Sequence, residues 1–127
     1  MDLEKEYDKI LYDNLTNENK IKLIAKTNPN KVAFKKDSEK SRVDLIDAEW
    51  LEGVGNVLKF GAAKYADHNW RLGFKFSRLL GACFRHLLAI MRGEDIDPES
   101  KLPHVFHLSC SCMFLAWHLK NKPELDD

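Results

Sequence analysis

Apolar residues in the first seventeen positions recur at helical spacing, with charged residues between them. Because side chains three or four residues apart share one face of a helix, this pattern predicts an amphipathic helix over about residues 1–17. Over residues 20–36 the apolar positions instead alternate with polar ones, on either side of a turn sequence at residues 27–30. That alternation favours a short β-hairpin.

Three further helices are predicted in the rest of the chain, over about residues 47–66, 77–93 and 103–121. Asp47 and Ser77 are the predicted N-terminal caps, because short polar side chains accept hydrogen bonds from the first N–H groups of a helix. Glycine and proline residues mark the expected helix ends. The connections between these helices are short, which predicts antiparallel neighbours.

The expected fold is therefore mainly α, a compact domain of three to four antiparallel helices preceded by the hairpin. The expected organisation is an N-terminal segment over residues 1–40, a helical domain over residues 41–121 and a tail over residues 122–127.

The apolar pattern also predicts which side of each helix faces the core. For the helix at 47–66, the predicted core positions are Leu51, Val54, Leu58, Ala62 and Tyr65. For the next two helices they are Leu79, Cys83, Leu87 and Ile90, followed by Val105, Leu108, Cys112, Leu115 and Leu119. The opposite faces carry Arg78, Arg85 and Arg92, and then His104, His107, Ser111 and His118. His118 is expected to be exposed.

Composition narrows the class of protein. The chain has 127 residues, enough for one domain that needs no disulfide or metal for stability. Twenty basic side chains balance twenty acidic ones, which argues against electrostatic binding of a nucleic acid polymer or an anionic membrane. No apolar run is long enough for a bilayer span or a signal peptide. The three cysteines are expected to be reduced, buried thiols in a cytoplasmic protein.

The three arginines of the 77–93 helix recur every seven residues and so lie close to one line along the helix. A row of guanidinium groups suits phosphate, because each group offers paired donors and a permanent charge. A solvated basic face paired with nearby carboxylates explains the row equally simply. The histidines of the last helix also have two interpretations. They suit proton transfer or metal binding, or they hydrogen-bond the preceding loop and fix it.

That loop, at residues 93–100, carries four carboxylates within six residues. Mg²⁺ would offset their repulsion, and so would the neighbouring arginines and histidines. The loop at residues 64–71 combines side-chain types that suit a nucleotide: aromatic residues to stack on a base, an amide to read its edge and cations for phosphate. Trp70 fits packing between helices as well as it fits base stacking.

Several segments resemble a phage family, the dATP/dGTP diphosphohydrolase N-terminal domain. The resemblance covers residues 41–120 and is carried by the segments SRVDL at 41–45, FGAAKY at 60–65, NW at 69–70, RHLL at 85–88, GEDIDPES at 93–100 and PH at 103–104 with His107. It implies hydrolysis of purine deoxynucleoside triphosphates to monophosphate and pyrophosphate, assisted by Mg²⁺, in the cytoplasm of an infected or lysogenic bacterium. Residues 41–121 would then form the nucleotide-binding domain, in a homo-oligomer.

The resemblance also implies roles for particular residues. Mg²⁺ would be held by Glu94, Asp95 and Asp97 with Glu49, and the catalytic residues would be His104, His107 and Glu99. The nucleotide would be bound by Lys64, Tyr65, Asn69, Trp70, Arg71, Arg78, Arg85, His86 and Arg92. Some proteins with the family's name resemble the all-α MazG-like pyrophosphohydrolases, whose ExxE and ExxD pairs correspond to Glu49-x-x-Glu52 and Glu94-x-x-Asp97. Their longer acidic signature is missing here, so the alternative is a non-catalytic phage protein that sequesters a signalling nucleotide of bacterial anti-phage immunity, either a cyclic nucleotide or an ADP-ribose derivative.

Overall fold

The computed structural model describes residues 3–27 and 32–127, which form an N-terminal unit up to Ser41 and a C-terminal unit from Arg42. The helices are α1 (Leu3–Asp13), α2 (Asn17–Thr27), α3 (Ala48–Lys64), α4 (Phe76–Met91) and α5 (His104–Asn121). Short 3-10 turns cover Val43–Leu45, Asn69–Leu72 and Pro123–Leu125. The described residues contain no β-strand, which confirms the mainly α fold.

In the N-terminal unit, the predicted amphipathic helix is confirmed as α1, but the predicted hairpin is wrong. Its first run is the helix α2, its second run has no strand from residue 32 onward, and its turn lies partly outside the described residues. The helix is favoured because Thr16 Oγ1 caps it, accepting from the Asn19 N–H at 3.2 Å. A 2.8 Å ion pair between Glu18 and Lys22, one turn apart, adds further support.

The C-terminal unit is built on an antiparallel pair, α4 and α5. The first turn of α4 contacts the last turns of α5, with the rings of Phe76 and His118 centred 6.1 Å apart. The far end of α4 brings His86 to within hydrogen-bonding distance of His104 at the start of α5. α3 packs across α5 over a core of Val54, Val57 and Cys110, bordered by Leu58, Leu102, Phe106 and Phe114.

The two predicted caps have different outcomes. Asp47 caps α3 as predicted, its carboxylate accepting from the Trp50 N–H at 2.8 Å. Ser77 is not a cap, because α4 begins at Phe76. The N–H and hydroxyl of Ser77 instead donate to the Asp127 carboxylate, at 2.9 and 2.7 Å. The C-terminal tail thus supplies the acceptor that satisfies the first turn of α4, a long-range contact that local sequence does not reveal.

The buried face of α5 differs from the predicted one, although the predicted core positions Leu108 and Leu115 are half-buried. His104, Ser111 and His118 are buried, and His118 is fully inaccessible, whereas Val105 and Leu119 are 46% and 62% exposed. His118 is satisfied internally, since its Nδ1 lies 2.7 Å from the Phe114 carbonyl and its Nε2 accepts from the Phe74 N–H at 3.0 Å. Hydrogen bonds of this kind allow an imidazole to occupy a core position.

Smaller corrections apply to other helices. On α4 the half-buried His86 takes the inner position expected for Leu87, which is 41% exposed. On α3, Leu51 and Tyr65 at the two ends of the predicted stripe are exposed. Of the three cysteines only Cys110 is buried, and this burial raises the pKa of its thiol to about 11. Within the described residues, no helix combines the length and apolar composition needed to cross a bilayer.

Candidate functional site

A cavity of about 1120 Å³ opens between α3, the segment after it, α4 and α5. Its volume is at the upper end of the range found for small-molecule sites. Four cations reach its walls, Lys59, Lys64, Arg71 and Arg85, together with the aromatic side chains of Tyr65 and Trp70. Such a lining combines positive charge with flat apolar surface.

A second cleft of about 550 Å³ adjoins the first along α4. Arg85, His86 and Asp97 line both clefts, and Arg92 and Glu94 line only the second. The two clefts are therefore adjacent and share one wall, and the three common residues mark its centre.

Three histidines from α4 and α5 form the wall at that centre. The rings of His86 and His107 are stacked, with centroids 4.8 Å apart and an angle of 10° between their planes. The Nδ1 atoms of His86 and His104 lie 2.8 Å apart, so one of them must donate and the other accept. Burial lowers the pKa of His86, and the neighbouring His107 and His104 lower it further. Burial also lowers the pKa of His107, against the opposing effect of Asp97.

Ser100 links the acidic loop at residues 93–100 to α5 through hydrogen bonds. Its hydroxyl lies 2.8 Å from the Asp97 carboxylate and 2.6 Å from His107 Nε2. A hydroxyl has one proton, so donation to Asp97 leaves the Ser100 oxygen to accept from His107 Nε2–H. Burial acts to raise the pKa of Asp97, but hydrogen bonds from Ser100 hold that pKa below its usual value. This arrangement leaves His107 Nδ1 with the free lone pair.

His104 has an unusual environment in the second cleft. Its Nε2 atom is buried and has no hydrogen-bond partner within the described part of the chain. The nearest carboxylate oxygen, from Glu94, lies 3.6 Å away, too far for a direct hydrogen bond. The predicted catalytic histidines thus lie on different sides of the shared wall, with His107 in the larger cavity and His104 in the smaller cleft.

The two aromatic side chains of the 64–71 loop differ in accessibility. Trp70 is stacked on Phe114 with ring centroids 4.6 Å apart, and the Arg71 guanidinium lies 5.1 Å from its ring centre. Tyr65 is 66% exposed, with Lys64 Nζ 5.6 Å from its ring centre. Trp70 therefore packs against α5, where its ring contacts Phe114 and Trp117, while the exposed Tyr65 ring lies at the cavity lining.

The predicted metal ligands do not form a preorganised cluster. Among the described residues, no group of three or more His, Cys, Asp or Glu side chains is placed to hold a metal ion. The Asp97 carboxylate accepts from the N–H and the hydroxyl of Ser100, at 3.0 and 2.8 Å. Glu49 lines neither cleft. The described side chains therefore form no ready-made cluster of three or more protein ligands for Mg²⁺.

The structure brings most of the predicted nucleotide-binding residues together. The larger cavity is lined by Lys64, Tyr65, Asn69, Trp70, Arg71, Arg85 and His86 with Asp97, Glu99 and His107. Arg78 lines neither cleft, although it belongs to the same arginine row. Lys59 and His68 also line the cavity and were missed by the sequence reasoning. His68 has a positive φ of 59°, which directs the chain into the 3-10 turn that follows.

A match to known proteins covers this same unit. The sequence matches the protein family described as dATP/dGTP diphosphohydrolase, N-terminal, over residues 30–127. The chain belongs to this family. The family match begins upstream of residue 41, where the resemblance was expected to start, and includes both clefts.

A curated relative agrees with the family. It is a protein of Salmonella phage PMBT28 named dATP/dGTP diphosphohydrolase, 41% identical over 94 residues. The aligned part is 74% of this chain and 32% of the relative, so the chain spans about a third of the relative's length. No solved structure matches the chain.

Proposed function

We propose that the C-terminal unit binds a purine deoxynucleoside triphosphate and hydrolyses it to the monophosphate and pyrophosphate. Family membership and the name of the phage relative support the substrate class. The observation that carries the proposal is the cavity itself, which is lined by Arg71, Arg85 and an exposed tyrosine ring beside the stacked histidines of the wall. The proposed setting is the cytoplasm of an infected bacterium, and the proposed assembly is a homo-oligomer.

The substrate's two halves suit different parts of the site. The triphosphate requires cations. Arg85 lines both clefts, and its guanidinium group offers paired hydrogen-bond donors to a phosphate in either one. The purine requires a flat apolar contact, which the Tyr65 ring provides at the cavity mouth. Any Mg²⁺ would arrive as the ion carried by the triphosphate, because the protein side chains do not form a cluster for it.

The histidine wall suits a proton-transfer role. In the proposed reaction a water oxygen attacks the α-phosphorus, the bond from that phosphorus to the bridging oxygen breaks, and pyrophosphate leaves with the electron pair. The water must lose a proton, and His107 Nδ1 is positioned by the Ser100 contact to accept one. Its lowered pKa keeps His107 neutral and able to act as a base at pH 7.

A matched pair of arginine variants tests the binding step. Arg85→Gln removes the charge shared by both clefts, and Arg78→Gln makes the same change on the same helix outside them. Loss of a charge-assisted hydrogen bond worth about 1.5–3 kcal/mol predicts nucleotide binding about 10–100-fold weaker for Arg85→Gln. We expect less than a twofold change for Arg78→Gln. Equal effects of the two variants on calorimetric affinity for dGTP or dATP would contradict the assignment.

The same purified protein distinguishes hydrolysis from sequestration. Sequestration of a cyclic nucleotide or an ADP-ribose derivative is the second candidate, because the same cationic and aromatic cavity lining would suit such a ligand. The protein is incubated with dGTP, dATP, cyclic dinucleotides and cyclic ADP-ribose isomers, with Mg²⁺ or with EDTA, and the nucleotides are separated by chromatography. Monophosphate that forms only with Mg²⁺ supports the hydrolase. A nucleotide that leaves solution and returns intact on denaturation supports sequestration.

A further inference from the structure

Helices α4 and α5 leave apolar side chains uncovered at regular intervals. On α4 these are Leu80, Phe84, Leu87 and Met91, which are 41–73% exposed. On α5 they are Val105, Cys112 and Leu119, spaced seven residues apart. Apolar side chains that alternate every four and three residues, or recur every seven residues, are typical of helices that pack against other helices along one face. We refer to these seven residues as the apolar face.

The two stripes form one continuous surface. Cys83 lies one turn from Leu80 and from Leu87, and therefore borders the α4 stripe. Burial raises the pKa of the Cys83 thiol, and the neighbouring Cys112 thiol across the helix pair raises it further. Since Cys112 belongs to the α5 stripe, the stripes meet at this point on one side of the pair.

The apolar face is separate from the candidate functional site. None of its seven residues lines either cleft. The inner positions of α4 and α5, such as His86 and His107, point toward the clefts instead. A partner on the apolar face would therefore leave the nucleotide site open.

The composition of α5 indicates that the face is covered in the functional protein. No Asp, Glu, Lys or Arg occurs between Lys101 and Lys120. A helix without charge on any side is normally buried on all sides. Here Val105, Cys112 and Leu119 are exposed, although the sequence pattern assigns all three to the core.

The exposed area fits a dimer interface. If a fully exposed large apolar residue contributes about 150–200 Å², the six exposed large side chains of the face contribute roughly 500–650 Å². A standard interface buries about 800 Å² on each partner, and about 56–65% of this area is apolar. The apolar face therefore supplies the apolar area that one stable, twofold interface requires.

We propose that a second copy of this chain docks on the apolar face, placing the α4–α5 pairs of two protomers against each other. The inference names the surface for the homo-oligomer proposed above and does not depend on the nucleotide chemistry. A twofold axis presents the same patch twice, so an uncharged, self-matching surface is suitable for both partners. Four antiparallel helices then enclose a common core.

Sedimentation at increasing protein concentration tests the proposal. We expect the wild-type chain to be a dimer, or a larger oligomer built from dimers, at micromolar concentration. Phe84→Glu places a charge at the centre of the apolar face and should weaken association at least about 30-fold. Leu72→Glu is the matched control, since Leu72 is 81% exposed but lies outside the face. It should leave association unchanged.

A second measurement works without a variant. Maleimide labelling of Cys112, followed by mass spectrometry, should slow as concentration rises, because dimer formation covers this exposed thiol. The proposal is overturned if the wild-type chain stays monomeric. It is also overturned if folded Phe84→Glu associates as tightly as wild type, or if Cys112 labels at a rate independent of concentration. Binding of the monomer through this face to vesicles of phosphatidylethanolamine and phosphatidylglycerol would overturn it in favour of a membrane surface.

Discussion

Two glycines of α3 provide a test of the α3–α5 packing that holds the cavity open. Gly53 is buried, and a Cβ atom added to it would lie 2.6 Å from three ring carbons of Phe106 on α5. Gly55 lies on the same helix, and a Cβ added there would meet nothing within 4 Å. The same substitution, glycine to alanine, should therefore have opposite effects at the two positions.

The magnitudes follow from the contacts. Alanine is favoured over glycine inside a helix by about 0.8–1.0 kcal/mol, and both variants gain this term. At Gly53 the new methyl group must push the Phe106 ring by about 1 Å to reach ordinary contact distance. Overpacking of this kind costs about 1–3 kcal/mol. We expect Gly53→Ala to be destabilised by up to about 2 kcal/mol and Gly55→Ala to be stabilised by about 1 kcal/mol.

The assay is thermal unfolding followed by circular dichroism. For a unit of this size, 1 kcal/mol shifts Tm by about 4–8 °C, so an overpacking cost of about 1–3 kcal/mol should separate the two variants by at least about 4 °C. Replacing Phe106 with Leu should relieve the clash, and Gly53→Ala should then cost less in a double-mutant cycle. If Gly53→Ala and Gly55→Ala raise Tm equally, the described packing of α3 on α5 is wrong.

Two further predictions concern the histidines. His86 and His107 have pKa values lowered in the folded protein, so the unfolded chain binds more protons below about pH 6.5 and stability should fall from pH 7 to pH 5. Urea unfolding across this range should show the fall and should show less of it in His86→Gln; a flat profile for wild type would contradict the assignment. His118→Leu leaves the Phe74 N–H without its acceptor and should cost about 1–3 kcal/mol, whereas His118→Gln retains an acceptor and should cost less. Equal unfolding free energies for the two His118 variants would show that the hydrogen bond is unimportant.

Local signals in the sequence were sufficient for most helices of the C-terminal unit. Asp47, Gly93 and Pro103 mark ends that the structure confirms within a residue or two, because caps act over a single turn. The same reasoning failed at Ser77, because its hydroxyl does not cap α4 but donates to the Asp127 carboxylate, fifty residues further along the chain. It also failed over residues 20–27, where strict alternation was too short to outweigh the Thr16 cap.

The orientation of α5 could not be predicted for a different reason. Periodicity assigns a buried face by contrast with a charged one, and α5 has no charged residue before Lys120. His118 and Ser111 look polar in sequence but are buried in the structure. The partners of His118 are backbone groups, one of them from the loop before α4, and these become visible only in three dimensions.

The candidate site was partly predictable. The 64–71 loop was recognised from its mixture of aromatic, amide and basic side chains, and the structure does place it on the cavity wall. The sequence could not show which aromatic ring of this loop is free to stack on a base. Trp70 is stacked on Phe114, which lies more than forty residues away in sequence. The sequence also did not reveal which of the three arginines would lie at the site. Arg85 and Arg92 line a cleft, and Arg78 does not.

The unusual composition of α5 follows from the surfaces that surround it. On one side His104 and His107 contact His86 and Ser100, and a nearby lysine or glutamate would change the pKa of His107. On another side Val105, Cys112 and Leu119 are suited to a second copy, where an unpaired charge would be costly to bury. A third side, which includes Cys110 and Phe106, packs against α3. An α5 that served the nucleotide site alone would be free to carry lysine or glutamate at Val105 and Leu119, so their apolar character supports an interface in addition to the site.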